Sequence, residues 1–111
     1  MDLVEQWVEE TVASLPDDLG RALSNVLVAV VDEPPPGQRL LGLYEGIPLT
    51  RRDRGYHGVL PDRISIYRGP LVRLYGRDLH ELEAMVRRVT LHEIAHHFGI
   101  SDERLHELDR Y

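Results

Sequence analysis

The segment from Asp78 to Gly99 constrains the fold more than any other part of the sequence. Asp78 is a favourable helix N-cap with Glu81 three residues later, and Gly99 is a favourable stop, so one helix should run to about Phe98. Its apolar residues recur at helical spacing but change side halfway along the helix. The first half carries Leu79, Leu82, Met85, Val86 and Val89, and the second half carries Leu91, Ile94, Ala95 and Phe98. We therefore expect a helix whose buried face changes side, with a polar surface in front of its second half.

The other apolar patterns predict one further long helix and three strands. Residues 2–15 carry an amphipathic stripe that ends at Pro16. The β-branched run at residues 25–31 predicts a strand buried on both faces, and a second strand is expected over residues 39–44. Residues 63–68 alternate polar and apolar, which predicts a half-buried strand at or near a sheet edge. A long exposed loop over residues 45–63 and a short helical turn over residues 70–75 complete the assignment.

Length and element order together predict one α+β domain. The chain has 111 residues, which is enough for a single modest core, and no linker or repeat divides residues 1–111. The expected architecture is a small mixed sheet of three or four strands, packed against the N-terminal helix and the long helix described above.

Composition excludes several classes of protein. There is no cysteine, so disulfides, thiolate zinc fingers and Fe–S clusters are excluded, and any metal must be bound by histidine and carboxylate. The net charge of −6 disfavours nucleic acid as a partner. The longest apolar run, residues 26–31, is too short to cross a membrane. The first residues do not form a secretory signal, so the cytoplasm is the expected location.

The second half of the long helix contains the pattern H-E-x-x-H. His92 and His96 lie four residues apart, which places both imidazoles on one helix face within reach of a single Zn²⁺. Glu93 lies beside them, where its carboxylate can accept a proton from a water and pass it to a leaving amine. These residue types in this spacing predict metal-assisted hydrolysis.

The residues that follow extend the pattern to H-E-x-x-H-x-x-G-x-x-D. A glycine adopts a left-handed turn at little cost, and such a turn at Gly99 would bring the chain back so that Asp102 can reach the metal. Residues 101–103 also read as the N-cap and first turn of a short helix, where acidic residues are favoured without any metal. The third ligand therefore stays open between Asp102 and three substitutes, which are Glu103, His106 and Glu107.

The extended motif resembles that of the zincin metallopeptidases, with aspartate in place of the third histidine of the metzincins. In size and layout the chain resembles the small bacterial zincin-like domains called minimal zincins. The resemblance implies a zincin-like fold, a Zn²⁺ cofactor bound by His92, His96 and Asp102, and Glu93 as general base. It also implies a peptide or protein substrate. Because histidine binds metal only when it is neutral, we expect zinc loss below about pH 5 to 6.

Two other functions remain open at this point. The chain could be a zinc-binding or protein-interaction module without catalysis, or, less favoured, a nucleic-acid-linked regulator that uses Arg51, Arg52 and Arg54. We expect the strand at residues 64–67 to hold an extended substrate by edge pairing.

The remaining histidines and two tyrosines receive minor roles. We expect His97 to be exposed or to support a ligand, and His57 and His80 to be solvated. Tyr67 and Tyr75 are expected to be core or edge aromatics, with a minor alternative role as donors to an oxyanion.

Overall fold

The computed structural model of the protein describes residues 2–47 and 62–100. Within these residues the fold is α+β, as predicted, with four helices and three strands. In chain order they are α1 (Leu3–Ala13), α2 (Asp17–Ala22), β1 (Val26–Val31), β2 (Gly42–Glu45), β3 (Asp62–Tyr67), α3 (Arg68–Tyr75) and α4 (Leu79–His97). No helix in the described residues is long and apolar enough to cross a membrane.

The three strands form one mixed sheet in the order β1-β3-β2. β3 pairs in parallel with β1 and antiparallel with β2, so both of its edges are occupied. The prediction that residues 63–68 lie at a sheet edge is therefore wrong, and so is the expectation that residues 64–67 pair with substrate. The strand is also buried on both faces rather than half-buried. Ile64 and Ile66 have no exposed surface, Ser65 and Tyr67 are 3% and 4% exposed, and Arg63 alone in β3 is exposed.

β1 was predicted to be buried on both faces, but it is only partly covered, and it is an outer strand of the sheet that the described residues form. β1 is half-buried along most of its length, and the side chain of Leu27 is 52% exposed. A β-branched run of six residues fits a strand with two covered faces and also fits an outer strand, because the run itself does not specify what covers it.

α4 packs against α1, α3 and the two strands β2 and β3. Its buried residues form one continuous stripe along the whole helix, which comprises Leu82, Val86, Val89, Thr90, Glu93, Ile94 and His97. The expected change of buried face is therefore wrong. Leu91, which that change would have buried, is 45% exposed, and the inward positions of the last two turns are occupied by Glu93 and His97.

Side-chain contacts from two arginines join separate elements. Arg87 of α4 hydrogen bonds to Glu10 of α1 at 2.7 Å and to Glu83 one turn earlier on its own helix at 3.0 Å. Arg68, the first residue of α3, contacts Glu5 of α1 at 2.9 Å. These bridges fix α1 against the two C-terminal helices, and the side chains that form them are partly exposed.

Two short helices differ from expectation for simple reasons. α2 was not predicted, because it has only six residues, no buried side chain and an internal glycine. α3 is a full eight residues rather than one turn, since it begins directly at the end of β3. The predicted C-terminal helix lies outside the described residues, as does most of the predicted loop over residues 45–63.

Candidate metal centre

The turn that ends α4 shapes the end of the helix that carries His92 and His96. Gly99 has a φ of +85°, the left-handed conformation predicted for it. Its N–H donates to the carbonyl of His96 at 2.9 Å, and the N–H of Ile100 donates to the carbonyl of Ala95 at 3.0 Å. This pair of bonds is a Schellman motif, which reverses the chain so that Ile100 lies beside the last turn of the helix.

His92 and His96 lie next to each other on one face of that last part of α4. Their ring centroids are 4.8 Å apart and their planes are nearly perpendicular, at 84°. Nδ1 of His96 lies 3.0 Å from the carbonyl oxygen of Ile100. Because a carbonyl can only accept, Nδ1 carries the hydrogen and Nε2 keeps the lone pair that a metal requires. Both side chains are half-buried.

Glu93 lies on α4 where the helix packs against β2. Glu93 is 8% exposed, and Gly42 of β2 lies against it. A Cβ atom added to Gly42 would lie 3.1 Å from Cγ of Glu93 and 2.8 Å from Cγ1 of Val89. The absence of a side chain at residue 42 therefore lets β2 lie directly against the carboxylate-bearing turn of the helix.

The donors present fit a zinc ion, and they would supply part of its coordination. Two imidazoles one helical turn apart are a common zinc-binding pair, and the bond from His96 to a backbone carbonyl is the support that such ligands receive from a second residue. In residues 2–47 and 62–100 no three histidine or carboxylate side chains converge on one point. Asp102 and its substitutes Glu103, His106 and Glu107 lie outside the described residues, so the third ligand stays a prediction.

A groove of about 270 Å³ opens beside His92 and Glu93. It runs between α4 and the residues that lead into β2, and it is lined by Arg39, Leu40, Leu41, Gly42, Met85, Arg88, Val89, His92 and Glu93. The lining is mainly apolar and includes four ionisable side chains, which are Arg39, Arg88, His92 and Glu93. A groove of this kind can hold an extended chain next to the Glu93 carboxylate.

A buried polar cluster lies on the other side of the same helix end. Nδ1 of His97 donates to Oδ2 of Asp62 at 2.9 Å, and the hydroxyl of Tyr44 donates to the same oxygen at 2.6 Å. His97 and Asp62 are 2% and 3% exposed, and Nε2 of His97 lies 3.4 Å from the carbonyl oxygen of Ala22. This cluster joins the end of α4 to β2, to the first residue of β3 and to the end of α2.

His97 was expected to be exposed or to support a ligand; it is buried, and its contacts fix the end of the helix. A signal for this was present in the sequence. His97 continues the spacing of Val86, Val89 and Glu93, so extending the apolar stripe of the first half would have placed it inside. Nothing comparable pointed to Asp62 or Tyr44, which reach His97 only through the strand order.

The remaining candidates of the sequence lie away from the histidine pair or outside the described residues. Tyr67 is 4% exposed at the end of the central strand, and Tyr75 is partly buried against the core, which confirms both as packing residues. His80 is exposed in the first turn of α4. His57, Arg51, Arg52 and Arg54 lie outside the described residues.

Comparisons with known proteins identify a matching family and a similar solved structure. A family model described as zincin-like metallopeptidase matches residues 23–111. Among solved structures, a conserved hypothetical protein from Thermo thermophilus is 30% identical, with 96% of each chain covered and a TM-score of 0.60. No curated protein matches the chain. The matched region includes the whole sheet, α4 and the residues that follow it.

Proposed function

Since the chain belongs to the zincin-like metallopeptidase family, we propose that it hydrolyses peptide bonds with a zinc ion bound by His92, His96 and Asp102. The observation that carries the proposal is the adjacency of the His92 and His96 rings, whose centroids lie 4.8 Å apart, on a helix end where His92 and the buried Glu93 line one groove. A peptide or protein segment is the proposed substrate, and the cytoplasm is the proposed location.

The proposed roles follow from the chemistry of each group. When bound, zinc would polarise the scissile carbonyl and make a water more acidic. Glu93 accepts a proton from the attacking water at its carboxylate and then delivers that proton to the leaving amine. Its low exposure strengthens this role, since a carboxylate shielded from bulk water interacts more strongly with a nearby proton donor.

The substrate is proposed to pair with β2 rather than with the strand expected from the sequence. β2 is the outer strand beside the groove, and the carbonyl of Leu41 accepts from the N–H of Tyr67 on β3 at 2.9 Å. In an antiparallel pair the main-chain groups alternate in direction, so those of Gly42 point away from β3. An extended peptide that bonds to Gly42 would lie along the groove beside Glu93.

The test measures metal content and hydrolysis separately. The wild-type protein is expected to bind one zinc per chain, whereas His92→Ala and His96→Ala retain little of it. Glu93→Gln is expected to keep its zinc and to lose activity on a quenched-fluorescence peptide library by about 10²- to 10⁴-fold. Glu81→Gln, an exposed acid on the first turn of the same helix, is the matched control and should behave as wild type.

Two results would contradict the proposal. One is wild-type protein that binds no zinc. The other is zinc-loaded Glu93→Gln that hydrolyses peptides as fast as wild type. Zinc binding without any hydrolysis would favour a non-catalytic module built on the same metal site.

The third ligand is tested within the same series. Asp102→Ala should reduce zinc content as strongly as His96→Ala does, whereas Glu103→Ala, His106→Ala and Glu107→Ala should not. If one of the latter three variants lost zinc while Asp102→Ala kept a normal zinc content, the substituted residue would be the third ligand instead of Asp102.

A further inference from the structure

β2 and the second half of α4 lie side by side and contact each other at two matched points. Glu93 of the helix meets the strand at Gly42, where an added Cβ would lie 3.1 Å from its Cγ. Four residues later, His97 meets the strand at Tyr44, and the two ring centroids are 5.7 Å apart. Four helical residues and two strand residues both span about 6 to 7 Å. The two contacts together therefore determine where the end of α4 lies along β2.

The two contacts restrain the helix in different ways. At Gly42 the nearest helix atoms are side-chain carbons, which limit how closely the elements approach but have no preferred direction. At the second contact the hydroxyl of Tyr44 donates to Oδ2 of Asp62 at 2.6 Å. Nδ1 of His97 donates to the same oxygen at 2.9 Å. Because hydrogen bonds depend on direction, this second contact opposes sliding of the helix along the strand.

The carboxylate that joins these two donors is itself held in place. Asp62 is the first residue of β3, and it is 3% exposed. The chain that leaves β2 passes directly against it at Gly46, whose φ is +154°. A Cβ atom on residue 46 would lie 2.5 Å from Oδ1 of Asp62, so glycine is required for this approach. An acceptor with so little room to move ties His97 to the position of the sheet.

From this arrangement we propose that Tyr44 and Asp62 are positioning residues, which act through His97 to hold the histidine pair of α4 in place along β2. The proposal rests on the proposed function, in which a peptide pairs with β2 while His92 and His96 bind the metal. These two histidines lie on one helix, so their own adjacency does not depend on the buried cluster. Their location relative to the strand does depend on it. A displacement of about 1 Å between a bound peptide and the reacting groups is enough to slow a reaction strongly.

The experiment uses Tyr44→Phe in the full chain, which keeps the ring and removes the hydroxyl. Co²⁺ replaces zinc, because a bound paramagnetic ion shifts the NMR signals of nearby N–H groups according to their distance and direction from the ion. The difference between the spectra of the Co²⁺ and Zn²⁺ forms gives these shifts for the N–H groups of β2 and of α4. In Tyr44→Phe we expect the shifts within α4 to be retained and those on β2 to change, because the helix carries its ligands with it.

Thr90→Val is the matched control. Thr90 is fully buried in α4, and its hydroxyl donates at 2.7 Å to the carbonyl of Val86 in the same helix. This variant removes a buried hydroxyl but no bond between helix and strand, so the shifts on both elements should be unchanged. Asp62→Asn keeps an oxygen that can accept both hydrogen bonds, and it should alter the β2 shifts less than Asp62→Ala does.

Hydrolysis gives a second readout. Tyr44→Phe should lower kcat about tenfold and leave KM within about twofold, since the main chain of β2 that would bind the peptide is unchanged. Thr90→Val should leave both constants as in wild type.

The shifts distinguish failure of this inference from failure of the proposed function. Unchanged β2 shifts in Tyr44→Phe would overturn the inference even if the wild-type protein is an active peptidase. Equal changes in α4 and β2 would show that the metal site itself is altered, and would also overturn it. Altered β2 shifts in a protein that binds the metal but hydrolyses no peptide would sustain the positioning role and overturn the proposed function. A wild-type protein that binds neither ion would overturn both.

Discussion

The two halves of α4 present the same stripe to the protein interior and fill it with different chemistry. In the first half the inward positions are occupied by hydrocarbon, as at Leu82 and Val86, which are 5% and 0% exposed. In the second half Glu93 and His97 occupy equivalent positions and are almost as deeply buried, at 8% and 2%, beside the apolar Ile94 at 3%. One helix therefore supports the core with one end and carries the candidate site on the other.

The difference shows what a site requires of the fold around it. Burying a polar group is unfavourable unless it has a partner, so the second half depends on contacts that the first half does not need. His97 has Asp62, which also receives the hydroxyl of Tyr44. The first half needs only shape-complementary apolar neighbours. Substitutions at the buried positions and their partners test how strictly the two halves of α4 differ in the side chains they tolerate.

The largest effect on stability is expected from His97→Ala. It leaves the Asp62 carboxylate buried without its ring partner, which should lower the free energy of unfolding by about 3 to 5 kcal/mol. Because His97 adjoins His96, zinc affinity should weaken as well. Urea denaturation of the apoprotein and a zinc titration measure the two effects. In a double-mutant cycle with Asp62→Ala, additive losses would show that the pair is not coupled.

Placing a glutamate in the first half of α4 tests whether that half tolerates a buried carboxylate. Val86→Glu places one at a fully buried position surrounded by hydrocarbon, and we expect a loss of about 3 kcal/mol. Val72→Glu on α3, where the valine is 45% exposed, is the matched control and should change stability by only about 0.5 kcal/mol. Similar denaturation midpoints for the two variants would remove the distinction between the halves of α4.

Gly42→Ala tests the close approach of β2 to the second half. The added methyl would contact Val89 and Glu93, so a loss of about 1 to 3 kcal/mol is expected, with slower hydrolysis because Glu93 must shift. Gly20→Ala in α2, where nothing lies within 4 Å of the new Cβ, should be neutral or slightly stabilising. Thermal unfolding and peptide hydrolysis of the two variants measure the contrast, and unchanged activity in Gly42→Ala would contradict it.

The smallest effect is expected at the surface of the first half. Hydrogen bonds from Gln6 and Arg87 lower the pKa of Glu10, so this contribution to stability is present above the ordinary glutamate pKa and is lost as the pH falls through the lowered value. Arg87→Gln should raise the pKa of Glu10 only part of the way, because Gln6 remains, and should lower the unfolding temperature slightly. An NMR titration of Glu10 measures this directly. An unchanged pKa would show that the bridge does not form in solution.

How far the sequence could predict the fold depends on whether a feature is local. α1, α4 and β1 were located to within about two residues, because periodicity and capping residues such as Asp78 are properties of the segment itself. The left-handed turn at Gly99 was predicted on the same basis and is confirmed. The central position of β3 was missed, because strand order depends on partners that are distant in the chain.

The same distinction between local features and features that depend on distant residues applies to the candidate site. The spacing of His92 and His96 predicted their adjacency, because one helix determines it. The burial of Glu93 and His97 was not predicted, although both continue the apolar spacing of the first half of the helix. The strands β2 and β3 that cover them come from distant parts of the chain. The roles of Glu93 as base and of Asp102 as ligand stay predictions.

The hydrogen bond from His96 to Ile100 has a consequence for metal capture. The ring is already held by a carbonyl that follows the Schellman turn, so its orientation and tautomer are selected before any ion arrives. An imidazole that is already held in place loses little rotational entropy when it binds a metal ion, and this raises the affinity for the ion. Exchanging Gly99 for a residue that resists the left-handed turn would free the imidazole to rotate, and the cost would appear as faster zinc dissociation from an otherwise folded protein.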